Sequence, residues 1–340
     1  MKKEAKLYKL SNNKARCNLC PHRCVIEKGD IGICGVRQFD GDKLCTLVYG
    51  LISSKSSDPI EKKPLYHFYP RTNAMSYGSI GCNFKCEHCQ NYSISMASPS
   101  SYSHLEEMSP KKSVEIAKKR NCAGMAYTYN EPTIWFEFVQ DSAKIAKEEG
   151  LYTVYITNGY MTKEAINEIS PYLDAVNIDI KAFNGADFYK DICCAEFGPV
   201  KRTCEEMSKK GIHIEITYLI IPDLNDEKEE IKKLSAWVKK KLGTNTPIHF
   251  TRFHPMHKME DVNPTTIDSL ENAHDTAKKE GLNYVYIGNV PGHEYNNTYC
   301  PNCGNEVISR TGFNVNIVGI DEKRRCTYCN EKIFIIDDKK

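Results

Sequence analysis

The sequence predicts an α/β chain: a partial (β/α)6-type barrel with an N-terminal four-cysteine module before it and a C-terminal zinc ribbon after it. Three observations predict this. Strand-like and helix-like segments alternate through the middle of the chain, the pattern of a parallel sheet wrapped by helices. Cysteines gather at three places with the spacings of metal ligands. A length of 340 residues with 41% hydrophobic composition suffices for one barrel-sized core plus appendages. The expected division is an N-terminal Cys-rich module over 1–65, a barrel over 66–298 and a zinc ribbon over 299–340.

The N-terminal module is carried by Cys17-x2-Cys20-x3-Cys24-x9-Cys34. Four cysteines close around zinc or hold an auxiliary iron-sulfur cluster, and spacing does not choose between them. Cys20-Pro21 and the series Gly29, Gly32, Gly35 suit a loop folded round a metal. Nothing nearby suggests an open coordination position, which favours a structural metal.

In the barrel, strands are expected at 75–80, 124–129, 152–157, 175–180, 213–220, 248–253 and 284–288. Amphipathic helices fall between them, among them 109–120, 137–149, 163–169 and 226–241. Ser109-Pro110 reads as an N-cap followed by proline at the first helical position, and Gly150 as a stop. Chemistry in such a barrel collects at the C-terminal ends of the strands, so the residues after each strand form the site list.

After the first strand comes Gly81-Cys82-x3-Cys86-x2-Cys89. A cubane 4Fe-4S cluster takes one cysteine per iron, so three thiolates leave one iron open to a substrate. The alternative is a closed Cys/His zinc site completed by His88 or a distant residue. Later strands end in Asn130-Glu131-Pro132, Thr157-Asn158-Gly159, Asp179-Ile-Lys181 and Arg252-Phe-His254. The last strand leads through Asn289-Val-Pro-Gly292 to His293 and Glu294, which should project over the open end as substrate contacts together with Arg252.

The C-terminal group is Cys300-x2-Cys303-x22-Cys326-x2-Cys329. Two C-x2-C pairs supply all four ligands of a closed structural site, for zinc or for a rubredoxin-like iron. Of the 16 cysteines, Cys45, Cys122, Cys193, Cys194 and Cys204 remain, read as small packed residues; the pair Cys193-Cys194 merits a test.

The formal net charge of +2 gives no electrostatic case for a nucleic-acid binder, although it leaves nucleic acid open as a substrate. Lysine clusters such as Lys239-Lys240-Lys241 sit in acid-containing helical patterns and read as solvated faces. The N-terminal segment lacks an apolar stretch of signal type, and no run of about 18 apolar residues occurs, so a cytoplasmic, membrane-free protein is expected. Cysteines in a reducing compartment serve metal binding more than disulfides.

The C-x3-C-x2-C spacing resembles the signature of radical S-adenosylmethionine (SAM) enzymes, oxidoreductase-type catalysts whose open iron chelates SAM. The resemblance implies a 4Fe-4S cluster at Cys82, Cys86 and Cys89, and reductive cleavage of SAM to a 5'-deoxyadenosyl radical. It implies SAM contacts at strand ends. Tyr129-Asn130-Glu131-Pro132 looks like that family's Gly-Gly-Glu-Pro segment, in which backbone oxygens and the glutamate receive the methionyl ammonium. Thr157-Asn158-Gly159 and Asp179-x-Lys181 are similar to segments of pyruvate formate-lyase-activating enzymes, with Asp179 toward the ribose and His254 at an adenine-contacting position. Two positions depart from those activases: Ile156 stands where they have an acid and Thr217 where they have arginine.

From end to end the chain is closer to another branch. Tyr66-His-Phe-Tyr-Pro, Cys89-Gln-Asn-Tyr-Ser, Tyr127-Thr-Tyr-Asn-Glu-Pro, His249-Phe-Thr-Arg-Phe-His-Pro and Gly288-Asn-Val-Pro-Gly-His together resemble the radical SAM component of the AmmeMemoRadiSam system. That resemblance implies Memo-like and AMMECR-like partners and a low-potential electron donor, with the substrate undetermined. A glycyl radical enzyme activase is the alternative function, and a non-catalytic metal-binding scaffold the third.

Overall fold

The computed structural model describes residues 2–183 and 187–337; residues 338–340 of the expected ribbon lie outside the described residues. Its centre is an eight-stranded sheet. In chain order the strands are β1 Ser54–Pro59, β2 Asn73–Gly78, β3 Gly124–Tyr127, β4 Tyr152–Thr157, β5 Ala175–Ile180, β6 His213–Ile220, β7 Ile248–Arg252 and β8 Val285–Gly288. They lie in the spatial order β8-β7-β6-β5-β4-β3-β2-β1. Pairings from β2 to β8 are parallel, with Gly124 opposite Ala74 and Tyr152, Ala175 opposite Val154 and His213, and Ile248 opposite Ile216 and Val285. The two edge strands, β1 and β8, are not neighbours, so the sheet stays partial.

Both faces of the parallel strands are covered, which is why they read as near-continuous apolar runs. Every residue of β3 is buried, and Ile178, Ile180, Ile216, Tyr218 and Phe250 are fully so. The covering helices are α1 Pro110–Lys119, α2 Phe136–Glu148, α3 Lys163–Ile169, α4 Phe197–Lys209, α5 Lys228–Lys241 and α6 Ile267–Lys279. Side-chain caps start three of them, satisfying amides that a first turn leaves unpaired. Ser109 accepts from the Lys112 amide at 3.2 Å, Thr162 from Ala165 at 3.2 Å and Thr266 from Ser269 at 3.1 Å.

Two expectations need correction. The partial barrel stands, with the seven expected strands parallel and linked through six strand–helix units and the antiparallel β1 added at one edge; the domain division does not. The boundary at 65/66 falls too late, because Ser54–Pro59 belongs to the central sheet and not to the cysteine module. That strand, Ser-Lys-Ser-Ser-Asp-Pro, has no apolar periodicity to read; it is an edge strand, where polar side chains and a proline are tolerated. Nor is the N-terminal module a separate body. Ala15, Leu19, Ile26 and Val36 share one apolar core with β2–β8 and the helices. The Trp135 indole donates to the Val48 carbonyl at 2.7 Å, and buried Arg37 pairs with buried Glu137 at the start of α2.

The C-terminal module, with strands β9 Thr298–Tyr299, β10 Glu306–Thr311 and β11 Asn314–Ile317, closes the N-terminal end of the sheet. Buried Arg310 donates to Asn296 O (3.0 Å), Thr298 Oγ1 (2.8 Å) and Tyr66 O (3.1 Å), with its guanidinium 4.2 Å from the Tyr66 ring centre. Beside it, Glu215 of β6 accepts from the amides of Tyr66 (3.0 Å) and His67 (2.7 Å) and from the rings of His213 (3.0 Å) and His249 (2.7 Å). His67 Nδ1 meets the Phe334 carbonyl, which can only accept, so Nε2 accepts the Tyr286 hydroxyl at 2.5 Å. The opposite, C-terminal ends of the strands are left for chemistry.

Candidate active site

The cysteine loop lies directly after β2. Gly81 opens it with φ +84°, and a Cβ there would lie 2.6 Å from the Cys34 carbonyl, so only glycine fits. Three asparagines brace the loop. Asn130 accepts from the Ser79 amide (3.1 Å) and donates to Gly81 O (2.9 Å). Asn158 donates to Asn83 Oδ1 (2.8 Å), and Asn83, fully buried, donates to Tyr160 O (3.1 Å). On its other side the loop is held by Lys85 N to Cys193 O (2.9 Å) and Glu87 N to Ile192 O (3.1 Å).

Cys86 is buried, and Cys82 and Cys89 are half-buried. Burial, reinforced by the charge of Glu131, pushes the Cys82 thiol well above its ordinary range; contact with the Cys193 thiol and burial do the same to Cys86. Thiolates are therefore unfavourable here without a cationic centre. Among the described residues only Cys300, Cys303, Cys326 and Cys329 bring three or more such ligand atoms within 4.8 Å of one another. Cys82, Cys86 and Cys89 are thus set too widely for a single ion, with or without His88, and fit a polynuclear cluster with one cysteine per iron. Among the described residues, both ring nitrogens of His88 are buried without a hydrogen-bond partner, and burial pushes its pKa down to about 3. An orphaned neutral imidazole between two ligand cysteines fits a site completed by a further group.

The strand ends meet this loop. Glu131 is buried, and its Oε1 accepts from Thr133 N (2.9 Å), Thr133 Oγ1 (2.6 Å) and Thr157 Oγ1 (2.7 Å), while Oε2 accepts from Asn158 N (2.8 Å). The carboxylate is largely occupied in joining β3 to β4. Tyr129 takes φ +74°, the backbone a glycine would supply, and is held there by its hydroxyl on Asp58 Oδ2 (3.0 Å). Asp58 in turn pairs with buried Lys63 at 2.8 Å. At the end of β5, Asp179 lies 3.2 Å from the Lys181 ammonium. Burial works against that charge, but Asp179 and the nearby thiols of Cys86 and Cys193 outweigh it and raise the Lys181 pKa. Thr217, the departure on β6, donates to Asn177 Oδ1 at 2.9 Å.

The remaining candidates divide. His254 is exposed beyond the end of β7, and Arg252 is half-buried with Nε on Thr265 O at 2.8 Å. His293 and Glu294 do not project over the open end. The His293 ring bonds Glu271 of α6 at 3.0 Å and caps the Tyr295 amide at 3.2 Å. Glu294 lines a groove with Tyr284 and Cys300, beside the start of β8 and the C-terminal module. The turn after β8, an edge strand, carries them outward toward α6 and the C-terminal module. Sequence reasoning missed the bracing roles of Asn83 and Tyr129 and weighed His88 only as a zinc ligand. Asn83 stands inside the cysteine motif itself, which was the signal that could have found it.

In the C-terminal module the thiols of Cys300 and Cys329 are 3.5 Å apart and those of Cys303 and Cys326 3.7 Å. Hydrogen bonds from the Asn305 amide and side chain lower the Cys303 pKa to about 6, favouring thiolate.

Residues 77–235 match the family model of the radical SAM superfamily. An uncharacterized protein of Methanocaldococcus jannaschii, MJ0808, is 48% identical over 98% of this chain and 99% of its own length. A pyruvate formate-lyase-activating enzyme of Clostridium pasteurianum is 30% identical over 47% of this chain and 66% of its own length. The crystal structure of a domain of pyruvate-formate lyase-activating enzyme from Bacteroides vulgatus covers 49% of this chain and 99% of that domain at 16% identity, with a TM-score of 0.44.

Proposed function

Because this chain belongs to the radical SAM superfamily and is an enzyme related to activating enzymes, we propose that it cleaves SAM reductively and modifies a substrate alongside Memo-like and AMMECR-like partner proteins. The observation that carries this reading is the loop of Cys82, Cys86 and Cys89: three thiols at a parallel-strand end, too widely set for one ion, beside a buried His88 whose ring has no hydrogen-bond partner among the described residues. When bound, a 4Fe-4S cluster supplies the electron that splits the sulfonium of SAM into methionine and a 5'-deoxyadenosyl radical.

The protein's part is positioning and exclusion of water. Asn83, Asn130 and Asn158 fix the loop against the ends of β2, β3 and β4, where the three thiolates would hold the cluster. With Glu131 tied to Thr133, Thr157 and Asn158, the backbone oxygens of Tyr129 and Asn130 would receive the ammonium of SAM. The Asp179–Lys181 pair at the end of β5 would hold the ribose side, and His254, exposed beyond the end of β7, would meet the adenine. The cysteines at 300, 303, 326 and 329 take zinc, because four thiols at tetrahedral spacing close the coordination and leave no open position. A low-potential one-electron donor completes the system.

The 30% identity to a pyruvate formate-lyase-activating enzyme supports a second reading, an activase that places a radical on a glycine of a partner enzyme. Anaerobic reconstitution with iron and sulfide, then dithionite and SAM, tests the shared chemistry: 5'-deoxyadenosine forms with wild type and not with Cys82→Ala, Cys86→Ala or Cys89→Ala. Product formation by the triple variant refutes the cluster assignment. A glycyl radical signal on an added partner enzyme selects the activase; modification that requires both the Memo-like and AMMECR-like proteins selects the first reading.

A further inference from the structure

The first four cysteines are arranged unlike the last four. Cys17, Cys20, Cys24 and Cys34 line one cavity, whose remaining wall is largely Leu19, Ile26, Ile33 and Ile134. A tetrahedral ion with metal–sulfur bonds of about 2.3 Å draws its thiolates to about 3.8 Å from one another. The C-terminal quartet meets that spacing, at 3.5 and 3.7 Å. In the N-terminal quartet no three thiols lie within 4.8 Å of one another. The open arrangement is the one shared with Cys82, Cys86 and Cys89.

We propose that Cys17, Cys20, Cys24 and Cys34 ligate a second iron-sulfur cluster, fully cysteine-ligated and placed to exchange electrons with the cluster at Cys82, Cys86 and Cys89. The expectation of a structural metal is revised on this geometry. With a cysteine for every corner no iron is left for a substrate, so the chemistry open to this site is electron transfer. The cage abuts the catalytic loop. The Cys34 carbonyl sits where a Cβ on Gly81 would be 2.6 Å away, one residue from Cys82. His22, which lines the cage, bonds the carbonyl of Asn83 at 2.7 Å. Arg37, buried and paired with Glu137, places Nη1 3.5 Å from Cys17 Sγ. A fixed donor and positive charge on a ligand sulfur favours the reduced, more negative cluster. Cys24 and Cys34 are only half-buried, and Val25, Ile31 and Ile33 are exposed, so the outer edge of the cage reaches the surface.

The electron balance is simple. A reduced low-potential one-electron donor, of the ferredoxin or flavodoxin class in the cell and dithionite in vitro, is oxidised as the second cluster is reduced. The second cluster is reoxidised as the catalytic one is reduced, and no bond forms or breaks. The exchange rests on the proposed catalytic cluster; the identity of the second site does not.

The test is the full-length Cys82→Ala, Cys86→Ala, Cys89→Ala variant, reconstituted anaerobically. Expected are about four iron and four acid-labile sulfide per chain, with absorption bleached by dithionite. Zinc, or iron without sulfide, at the remaining N-terminal site overturns the proposal. Should that variant not fold, wild type discriminates: about eight iron and one zinc support the proposal, about four iron and two zinc overturn it. In doubly reduced wild type the two clusters should broaden each other's electron paramagnetic resonance, and independent signals overturn the exchange. Sulfide in the variant with no SAM cleavage by wild type would sink the catalytic reading alone; cleavage by wild type with no sulfide in the variant would sink this one alone.

Discussion

Glu131→Gln should destabilise the protein by about 2–4 kcal/mol and loosen the cluster loop. The Glu131 carboxylate accepts four protein hydrogen bonds, two of them from backbone amides that cannot turn away. A glutamine must place its NH2 group against one set of donors. Placed at Oε1 it opposes the Thr133 amide and two hydroxyls; placed at Oε2 it opposes the Asn158 amide alone, the cheaper choice. That choice loses one charge-assisted bond and leaves a buried N–H unpaired, about 2–4 kcal/mol together. Glu131 is buried, so solvent does not soften the loss. The released Asn158 also tethers Asn83 inside the cysteine motif, so damage spreads to the loop. Urea unfolding of the anaerobic, reconstituted protein measures the first effect, and the rate of iron release to a chelator the second. A variant within about 0.5 kcal/mol of wild type, with unchanged iron release, would refute the bracing role and leave SAM as the partner of this carboxylate.

Arg310→Met leaves the acceptors Asn296 O, Thr298 Oγ1 and Tyr66 O without their cation and should cost at least about 3 kcal/mol. The readout is faster proteolysis near Thr298–Tyr299, where the C-terminal module joins the barrel; cleavage at the wild-type rate would show that Arg310 does not clamp the two together. Stability should fall with acid. Burial pushes His67 down to about 3, so between about pH 6.5 and that value the unfolded chain binds a proton that the fold refuses. Glu215 acts in the same direction: hydrogen bonds from His213 and His249 outweigh its burial and hold it below the ordinary carboxylate range, and that stability is lost as pH falls below about 4.3. From pH 7 to 5 the His67 contribution is roughly 2 kcal/mol, so His67→Gln should lose that much less stability than wild type over this range; equal losses in urea unfolding would contradict the assignment. Cys300→Ser with Cys329→Ser removes two of four ligands, whose metal binding contributes about 10–16 kcal/mol of folding energy in zinc-finger peptides. Residues beyond Tyr299 should become protease-sensitive and zinc should be lost, while SAM cleavage persists; loss of cleavage with the barrel still folded would overturn the separation.

Much of the sheet was legible because buried parallel strands are written as apolar runs. The strands at 152–157, 175–180 and 213–220 stand as read, and the other four differ at their ends by one to two residues. The helices begin where Ser109 and Thr162 place caps. Ser54–Pro59 was not legible, because an edge strand owes its place to its neighbour's unpaired backbone and not to its own side chains. Glu215 carried a signal: a carboxylate in the middle of His213-Ile-Glu-Ile-Thr, an otherwise apolar run, must be met by partners from elsewhere. The outward turn of His293 had no signal, because a loop's direction depends on what lies beyond the edge of the sheet.

The sequence by itself determined the chemistry's raw material. Local spacing sets which cysteines share a loop, and Gly81-Cys82-x3-Cys86-x2-Cys89 is contiguous, so its ligand role is written in one dimension. Tertiary structure decided what the surrounding residues do with it. Gly81, the Asn130-Glu131 pair and the Thr157-Asn158 pair come from three separate stretches of chain and become one hydrogen-bonded brace because β2, β3 and β4 end side by side. The same is true of the two outer quartets. Spacing marks each as a candidate metal site, but the distances between sulfurs are fixed by how the chain packs around them: tight in the C-terminal module, open in the N-terminal one. Ligand number is a property of the sequence, and ligand separation, which selects an ion or a cluster, is a property of the fold.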